Sequence, residues 1–105
     1  MDAGASGSDA QLLEASRRGE RDAFGVLVER YQRVVGAVSL SATGSAALGD
    51  DVAQDTFVTA WRSLGSLRDP ARLGPWLCGI ARNLGRRARR RRGRETTLDD
   101  AGTDP

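Results

Sequence analysis

The sequence contains no histidine and no lysine, so all sixteen of its basic residues are arginine. Histidine is the commonest general base and metal ligand, and without it the serine and threonine hydroxyls lack their usual activating partner. The carboxylates Asp50, Asp51 and Asp55 offer too few oxygen ligands for a hard cation. We therefore predict that the chain is not an enzyme and uses neither a cofactor nor a metal ion.

Cysteine and long apolar runs are also scarce. The single cysteine, Cys78, excludes an intramolecular disulfide and a cysteine-rich zinc site. We expect an inert thiol at the edge of the core, and a redox role with a partner is the alternative. No apolar run approaches the ~18 residues of a membrane span. The N-terminus lacks the basic and apolar regions of a signal peptide, so we expect a cytoplasmic protein with no membrane partner.

The net charge of +2 conceals a strong polarity along the chain. Residues 1–81 carry eight arginines against ten acidic residues, residues 82–94 carry eight arginines, and residues 95–105 carry four acidic residues. This distribution suits a polyanion at one site and a different partner elsewhere. A solvated, frayed tail is the alternative, because like charges repel one another within a helix.

The apolar periodicity predicts an all-α fold, a compact bundle of three to four helices. We expect helices at residues 10–18, 20–40 and 46–64, with a cap at Ser45, and a fourth from Pro75. The polar segments at residues 1–8 and 95–105 are predicted to be disordered. Residues 39–45 and 65–74 read as breaks between helices. The predicted core residues are Phe24, Leu27, Val28, Tyr31, Val34, Val35, Val38, Ala53, Phe57, Ala60, Trp61, Leu64, Trp76, Leu77, Ile80, Ala81, Leu84 and Ala88.

The outer side of the third helix mixes acidic, amide and aliphatic groups. Asp51, Asp55 and Arg62 line it at helical spacing, and Gln54 and Val58 flank them. Such a mixture suits a protein partner, although a solvated face with one exposed valine would look the same in the sequence.

The fourth helix carries the clearest functional signal. Arg82, Asn83 and Arg86 fall within its apolar-patterned part, so packing would hold them in place. Asparagine can read a base edge, and arginine can bind phosphate or stack on a base. The few aromatic residues fit core positions, so the sequence does not support extended base stacking on aromatic side chains.

Three segments together resemble region 2 of the bacterial extracytoplasmic-function (ECF) sigma factors of the sigma-70 family. They are AFGVLVERYQRVV (23–35), DDVAQDTFVTAWRSL (50–64) and LRDPARLGPWLCGIARNLGRR (67–87). The likeness covers residues 9–92. The second and third segments, occurring together at this separation, are a highly specific mark of the resemblance.

This resemblance implies two functional surfaces. The third helix would dock on the β′ clamp helices of the RNA polymerase core through Asp51, Gln54, Asp55 and Val58. The loop at residues 67–74 would capture a flipped base of the promoter minus-ten element on the non-template strand, so that binding favours DNA that unpairs easily. The fourth helix would read and grip the upstream part of the element. The DNA-binding residues implied are Arg68, Arg72, Arg82, Asn83, Arg86, Arg89 and Arg90.

The chain departs from the family pattern in two places. The second domain, which reads the minus-thirty-five element, is absent, so we expect region 2 at residues 9–94 and the start of a flexible interdomain linker at residues 95–105. Arg87 stands where the family often has aspartate, which suggests a missing local salt bridge. The family also implies an anti-sigma factor as a partner. The alternatives are a non-specific nucleic-acid-binding helical module and a protein-interaction domain bound only by polymerase or an anti-sigma factor.

Overall fold

The computed structural model describes residues 7–103, with side chains described for residues 7–95. Over that range the chain forms four α-helices and two short 3₁₀ helices, and no strand. The α-helices are α1 (Asp9–Arg17), α2 (Arg21–Thr43), α3 (Ala46–Arg62) and α4 (Leu73–Thr103), and the 3₁₀ helices are Leu64–Ser66 and Pro70–Arg72. The all-α bundle predicted from the sequence is confirmed. Of the N-terminal segment predicted to be disordered, residues 1–6 lie outside the described residues.

The caps of α1 and α3 follow from the sequence. Ser8 and Gln11 form a capping box. The Gln11 backbone N–H donates to Ser8 Oγ at 3.2 Å, and the Ser8 backbone N–H donates to Gln11 Oε1 at 2.9 Å. Ser45 caps α3 by accepting a hydrogen bond from the Leu48 amide at 3.3 Å. The predicted cap at Ser45 is therefore correct.

The predicted end of the second helix at residue 40 is wrong, because α2 continues to Thr43. The polar residues that read as a break are accommodated within the helix, where the Thr43 hydroxyl donates to the Ser39 carbonyl at 2.8 Å. The helix ends instead at Gly44, whose φ of 70° lies in the left-handed region that glycine tolerates.

The segment between α3 and α4 is more ordered than the predicted loop. α3 ends at Arg62, and both 3₁₀ helices lie between it and α4. α4 begins at Leu73, which places Pro75 in the first turn, where its missing N–H costs no helical hydrogen bond. The backbone of α4 is helical through Thr103, so residues 95–103 of the predicted linker are helical here. The domain boundary at residue 94 stays a prediction.

The core lies where α2, α3 and α4 meet, and α1 covers one side of it. Leu67 and Leu73 belong to this core, although the sequence placed them in a loop. Val34 is 44% exposed and was wrongly assigned to the core, because the apolar stripe of α2 is narrower than the run of valines suggests. Cys78 is 9% exposed, which agrees with a position at the core's edge. The buried cluster contains Leu12, Leu13, Ala23, Leu27, Val35, Ala60, Leu64, Leu67, Leu73, Leu77 and Ala81.

α4 crosses α2 at unusually close range. Gly85 is buried at this crossing, and a Cβ atom built on it would lie 2.5 Å from the Cβ of Ala42. Two carbon atoms cannot approach that closely without a shift of one helix. The absence of a side chain at Gly85 therefore sets the separation of the two helices.

A polar cluster ties α1 to α2. The Tyr31 hydroxyl donates a hydrogen bond to one carboxylate oxygen of Asp9, and Arg30 Nη1 lies 3.0 Å from the other oxygen. Burial and the neighbouring Asp9 carboxylate raise the pKa of Tyr31 to about 12. The phenolate is therefore disfavoured in the folded protein.

We expect this cluster to make stability fall in alkaline solution. Because the pKa of Tyr31 is higher folded than unfolded, its contribution is complete below the unfolded pKa of about 10 and is lost as the pH rises towards 12. Urea unfolding of the native chain and Tyr31→Phe at about pH 9 and about pH 11 measures the effect. Tyr31 is the only tyrosine in the sequence, so the variant has no titrating phenol. An equal loss of stability in both proteins would contradict this prediction.

Candidate protein and nucleic-acid interfaces

The α3 face consists of Asp51, Gln54, Asp55 and Val58. These residues recur at i, i+3, i+4 and i+7 on α3, and all four are exposed, Val58 by 47%. Within residues 7–95, neither Asp51 nor Asp55 forms a salt bridge with another side chain. The face therefore offers two carboxylates and an apolar contact to solvent, as the sequence predicted.

An apolar cleft opens beside the α3 face. Its volume is about 580 Å³, and Val58 belongs to both surfaces. The rings of Phe24 and Trp61 pack with their centroids 5.1 Å apart and their planes at 59°. Arg21 and Arg62 also line the cleft. The sequence assigned the aromatic residues to the core, and the structure leaves them half-buried because α2 and α3 do not cover their outer edges.

The loop cleft lies between residues 66–69, at the end of the first 3₁₀ helix and just after it, and the start of α4. It has a volume of about 530 Å³ and brings together the predicted residues Arg68 and Arg72 with Trp76. Asp69 caps the 3₁₀ helix, since its Oδ1 accepts a hydrogen bond from the Ala71 amide at 3.0 Å. The remaining lining residues are Ser66, Leu67, Asp69 and Pro75.

The local packing keeps this cleft open and basic. Trp76 is half-buried and packs against the core, so the exit of the loop is held by apolar contact. The guanidinium of Arg72 lies 3.9 Å from the Asp69 carboxylate, and both side chains are largely exposed. An exposed pair at this distance contributes little stability, so Arg72 remains available to an anionic ligand.

The α2–α4 cleft gathers three of the predicted arginines. Arg82, Arg86 and Arg89 recur at i, i+4 and i+7 on α4 and line a cleft of about 520 Å³. The opposite wall belongs to α2 and consists of Ala37, Val38, Ser41 and Ala42. Sequence reasoning missed this wall, because small residues near the end of a helix carry no signal of their own.

The structure divides the residues that the sequence grouped on the fourth helix. Asn83 and Arg90, both exposed, do not line the α2–α4 cleft and share a second stripe with Arg87. Successive helical residues are separated by about 100°, so this stripe lies beside the arginines of the cleft and not among them. Arg87 is exposed and forms no salt bridge within residues 7–95.

Arg17 of α1 is a polar residue to which the sequence assigned no role. Its guanidinium donates to the carbonyl oxygens of Leu64 and Leu67 at the start of the loop. The acceptors are backbone atoms 47 and 50 residues away, so no local pattern identifies the contact.

Two further features concern the described part of the chain, a group of potential metal ligands and a helix able to span a membrane. No group of three or more potential metal-ligating side chains occurs there. No helix within residues 7–103 combines the length and apolar character of a bilayer span.

Comparisons with known proteins identify relatives that share these segments. The family model described as Sigma-70 region 2 matches residues 27–95. The "Probable RNA polymerase sigma factor RfaY" of Xanthomonas campestris is 40% identical over 81 residues, covering 74% of this chain and 20% of the relative. The RNA polymerase sigma-H factor of Pseudomonas aeruginosa is 35% identical over 98 residues, covering 89% and 51%.

A third relative carries the ECF designation. The ECF RNA polymerase sigma factor BldN of Streptomyces coelicolor is 37% identical over 75 residues, covering 70% of this chain and 28% of the relative. The chain thus spans about half or less of the length of these curated relatives. No solved structure matches the chain.

Proposed function

Because the chain belongs to the sigma-70 region 2 family, as a region 2 domain of an ECF sigma factor, we propose that it acts in transcription initiation. In this proposal it binds the β′ clamp helices of the RNA polymerase core and recognises and helps to melt the promoter minus-ten element. It acts in the cytoplasm, where the polymerase is. An anti-sigma factor is a further proposed partner, and the proposal assigns no surface to it.

The observation that carries the proposal is the separation of two oppositely charged surfaces. The α3 face exposes Asp51 and Asp55, whereas the loop cleft and the α2–α4 cleft expose guanidinium groups. DNA would be repelled by the first surface and attracted to the second. A single chain can therefore bind a protein and DNA at the same time without competition between them.

The loop cleft is the proposed site of base capture on the non-template strand. Its volume of about 530 Å³ lies within the range of small-molecule sites, and Arg68 and Arg72 can neutralise the phosphates on either side of the base. Extrusion of a base costs a few kcal/mol, least where the duplex is already unstable. Capture would therefore favour DNA that opens readily.

Two substitutions on α4 separate base reading from backbone binding. We expect Asn83→Ala to reduce discrimination among minus-ten sequences by ~1–3 kcal/mol, because an amide can form two hydrogen bonds with one base edge. We expect Arg89→Ala to weaken binding of all minus-ten sequences equally, because a phosphate contact carries no sequence information. Equilibrium binding of a panel of minus-ten variants to the chain in complex with polymerase core measures both.

Each member of the pair serves as a control for the other, since both positions are exposed on the same helix. An unchanged preference in Asn83→Ala would remove this residue from base reading. A loss that depends on sequence in Arg89→Ala would contradict its assignment to the backbone.

A sequence-blind nucleic-acid-binding module is the second candidate function. The exposed arginines at residues 89–92 and 94 favour it, because counterion release makes such contacts strong for any sequence. This candidate predicts a steep salt dependence and equal affinity for a scrambled minus-ten element.

A protein-interaction domain without DNA binding is the third candidate. The apolar cleft at Phe24 and Trp61, adjoining the α3 face, favours it. This candidate predicts that the complex with polymerase core binds minus-ten strands no better than core alone does.

A further inference from the structure

The shape of the loop cleft depends on the position of residues 67–73, a short segment that is buried at its two ends and largely exposed between them. Leu67 and Leu73 are buried in the core, whereas Arg68, Asp69 and Arg72 between them are exposed. A segment of this kind is fixed at its ends, and its exposed part is defined only as well as those ends are held.

Arg17 holds the first of these ends. Its Nε and Nη2 atoms lie 3.4 and 3.3 Å from the Leu64 carbonyl oxygen, and Nη2 also donates to the Leu67 carbonyl oxygen. The Leu64 carbonyl belongs to the first residue of the first 3₁₀ helix and also accepts a hydrogen bond from the Leu67 backbone amide at 3.3 Å. One planar guanidinium thus joins the carbonyl of the first residue of this 3₁₀ helix to the carbonyl of Leu67, the residue that follows it.

The helix that carries Arg17 is itself anchored to the rest of the fold. α1 is anchored by Leu12 and Leu13, which are buried in the core, and by the contacts of Asp9 with Tyr31 and Arg30. Only 28% of the Arg17 side chain is exposed. The guanidinium is therefore held in place before any ligand arrives, which lowers the entropic cost of fixing the loop.

We propose that Arg17 is a positioning residue for base recognition, which fixes the start of the loop so that the loop cleft has one shape. This inference rests on the proposed function, in which the loop cleft captures a base. Arg17 itself contacts neither DNA nor polymerase in this assignment, and its effect passes through the carbonyls of Leu64 and Leu67. It also lies outside the residues matched by the family model, which begin at residue 27.

The test compares Arg17→Ala with Arg18→Ala, which removes the same charge at the next position. Arg18 is exposed and pairs with Glu20 at 2.9 Å, and it has no hydrogen bond to the loop. The probes are single-stranded oligonucleotides with the minus-ten non-template sequence, permuted to all four bases at each position, bound to the chain in complex with polymerase core. An oligonucleotide with an abasic site at the captured position reports backbone affinity alone.

We expect Arg17→Ala to reduce the preference at the captured position by about fivefold, the net worth of one hydrogen bond. The affinity of Arg17→Ala for the abasic strand and for polymerase core stays at the native value. For Arg18→Ala, both the base preference and these affinities stay at the native values. Arg17→Lys regains part of the preference, because an ammonium group keeps the charge without the fork that joins both carbonyls. A uniform loss over all strands, or an unchanged preference, would overturn the proposal.

Hydrogen exchange of the loop amides separates this inference from the proposed function. In the free chain, Arg17→Ala is expected to speed exchange at residues 67–73 and to leave the amides of α2 and α3 protected. Faster exchange with a retained base preference overturns the positioning role. If the native chain shows no base preference at all, the proposed function fails. Unchanged hydrogen exchange in Arg17→Ala would show, independently of that result, that Arg17 does not fix the loop.

Discussion

Replacing Asp55 by arginine is expected to weaken binding of the chain to RNA polymerase core by about 100-fold. Asp55 is exposed on the α3 face and has no salt bridge within residues 7–95. A partner that complements this face must present basic groups to it, so a guanidinium at this position replaces attraction with repulsion. Titration of labelled chain with a β′ clamp fragment and with intact core measures the loss, and thermal unfolding verifies that the fold is intact.

The design needs a charge reversal at a position turned away from Asp55. Asp50→Arg provides it, because Asp50 is exposed on the same helix and lies about 140° around the helix from Asp55, although it is one turn before Gln54. We expect Asp50→Arg to bind core almost as the native chain does, and Gln54→Ala to have a milder effect than Asp55→Arg. Equal losses in the two reversals would show that binding depends on net charge alone. Failure of the native chain to bind the β′ clamp fragment would refute core binding through this face.

Alanine substitutions at two glycines of α4 are expected to change stability in opposite directions. At Gly85 the added Cβ would lie 2.5 Å from the Cβ of Ala42, so α4 must move away from α2, at a cost of about 1–3 kcal/mol. At Gly79 nothing lies within 4 Å of an added Cβ, so Gly79→Ala should stabilise the helix by about 0.5–1 kcal/mol. Urea unfolding of the two variants beside the native chain gives both values.

The same pair of variants connects packing with DNA binding. Arg82 and Arg86 lie on either side of Gly85 in sequence and line the cleft that α4 shares with α2. A shift of α4 would displace these guanidinium groups relative to Ala37 and Ser41, so we expect Gly85→Ala also to weaken binding of minus-ten DNA. Stabilisation by both alanines would mean that the crossing relaxes at no cost, which would contradict the close packing described for it.

The helices and the α3 face could be predicted from the sequence because their signals are local. The apolar periodicity of α2 and α3 extends over several turns, and Ser45 is a cap in both sequence and structure. Asp51 and Asp55 are exposed because helical spacing alone places them about 180° and about 140° around the helix from the buried Ala60. Such positions depend on one helix and not on how it packs.

The features that escaped prediction depend on contacts between distant residues. The α2–α4 cleft exists because Gly85 lets the two helices meet at Ala42, and no periodicity encodes which glycine is a crossing point. The contact of Arg17 with Leu64 and Leu67 is made to carbonyl oxygens, which every residue possesses. The burial of Leu67 and Leu73 likewise follows from the path of the loop, which pattern alone leaves open.

The contacts of α1 have a practical consequence for the preparation of this domain. The family match begins at Leu27, in the middle of a turn of α2, and excludes all of α1. A fragment cut to those limits would expose the apolar surface that Leu12 and Leu13 cover. It would also remove the guanidinium that the carbonyls of Leu64 and Leu67 accept from. A fragment for expression should therefore begin before Ser8, so that the capping box of Ser8 and Gln11 is complete and all of α1 is retained.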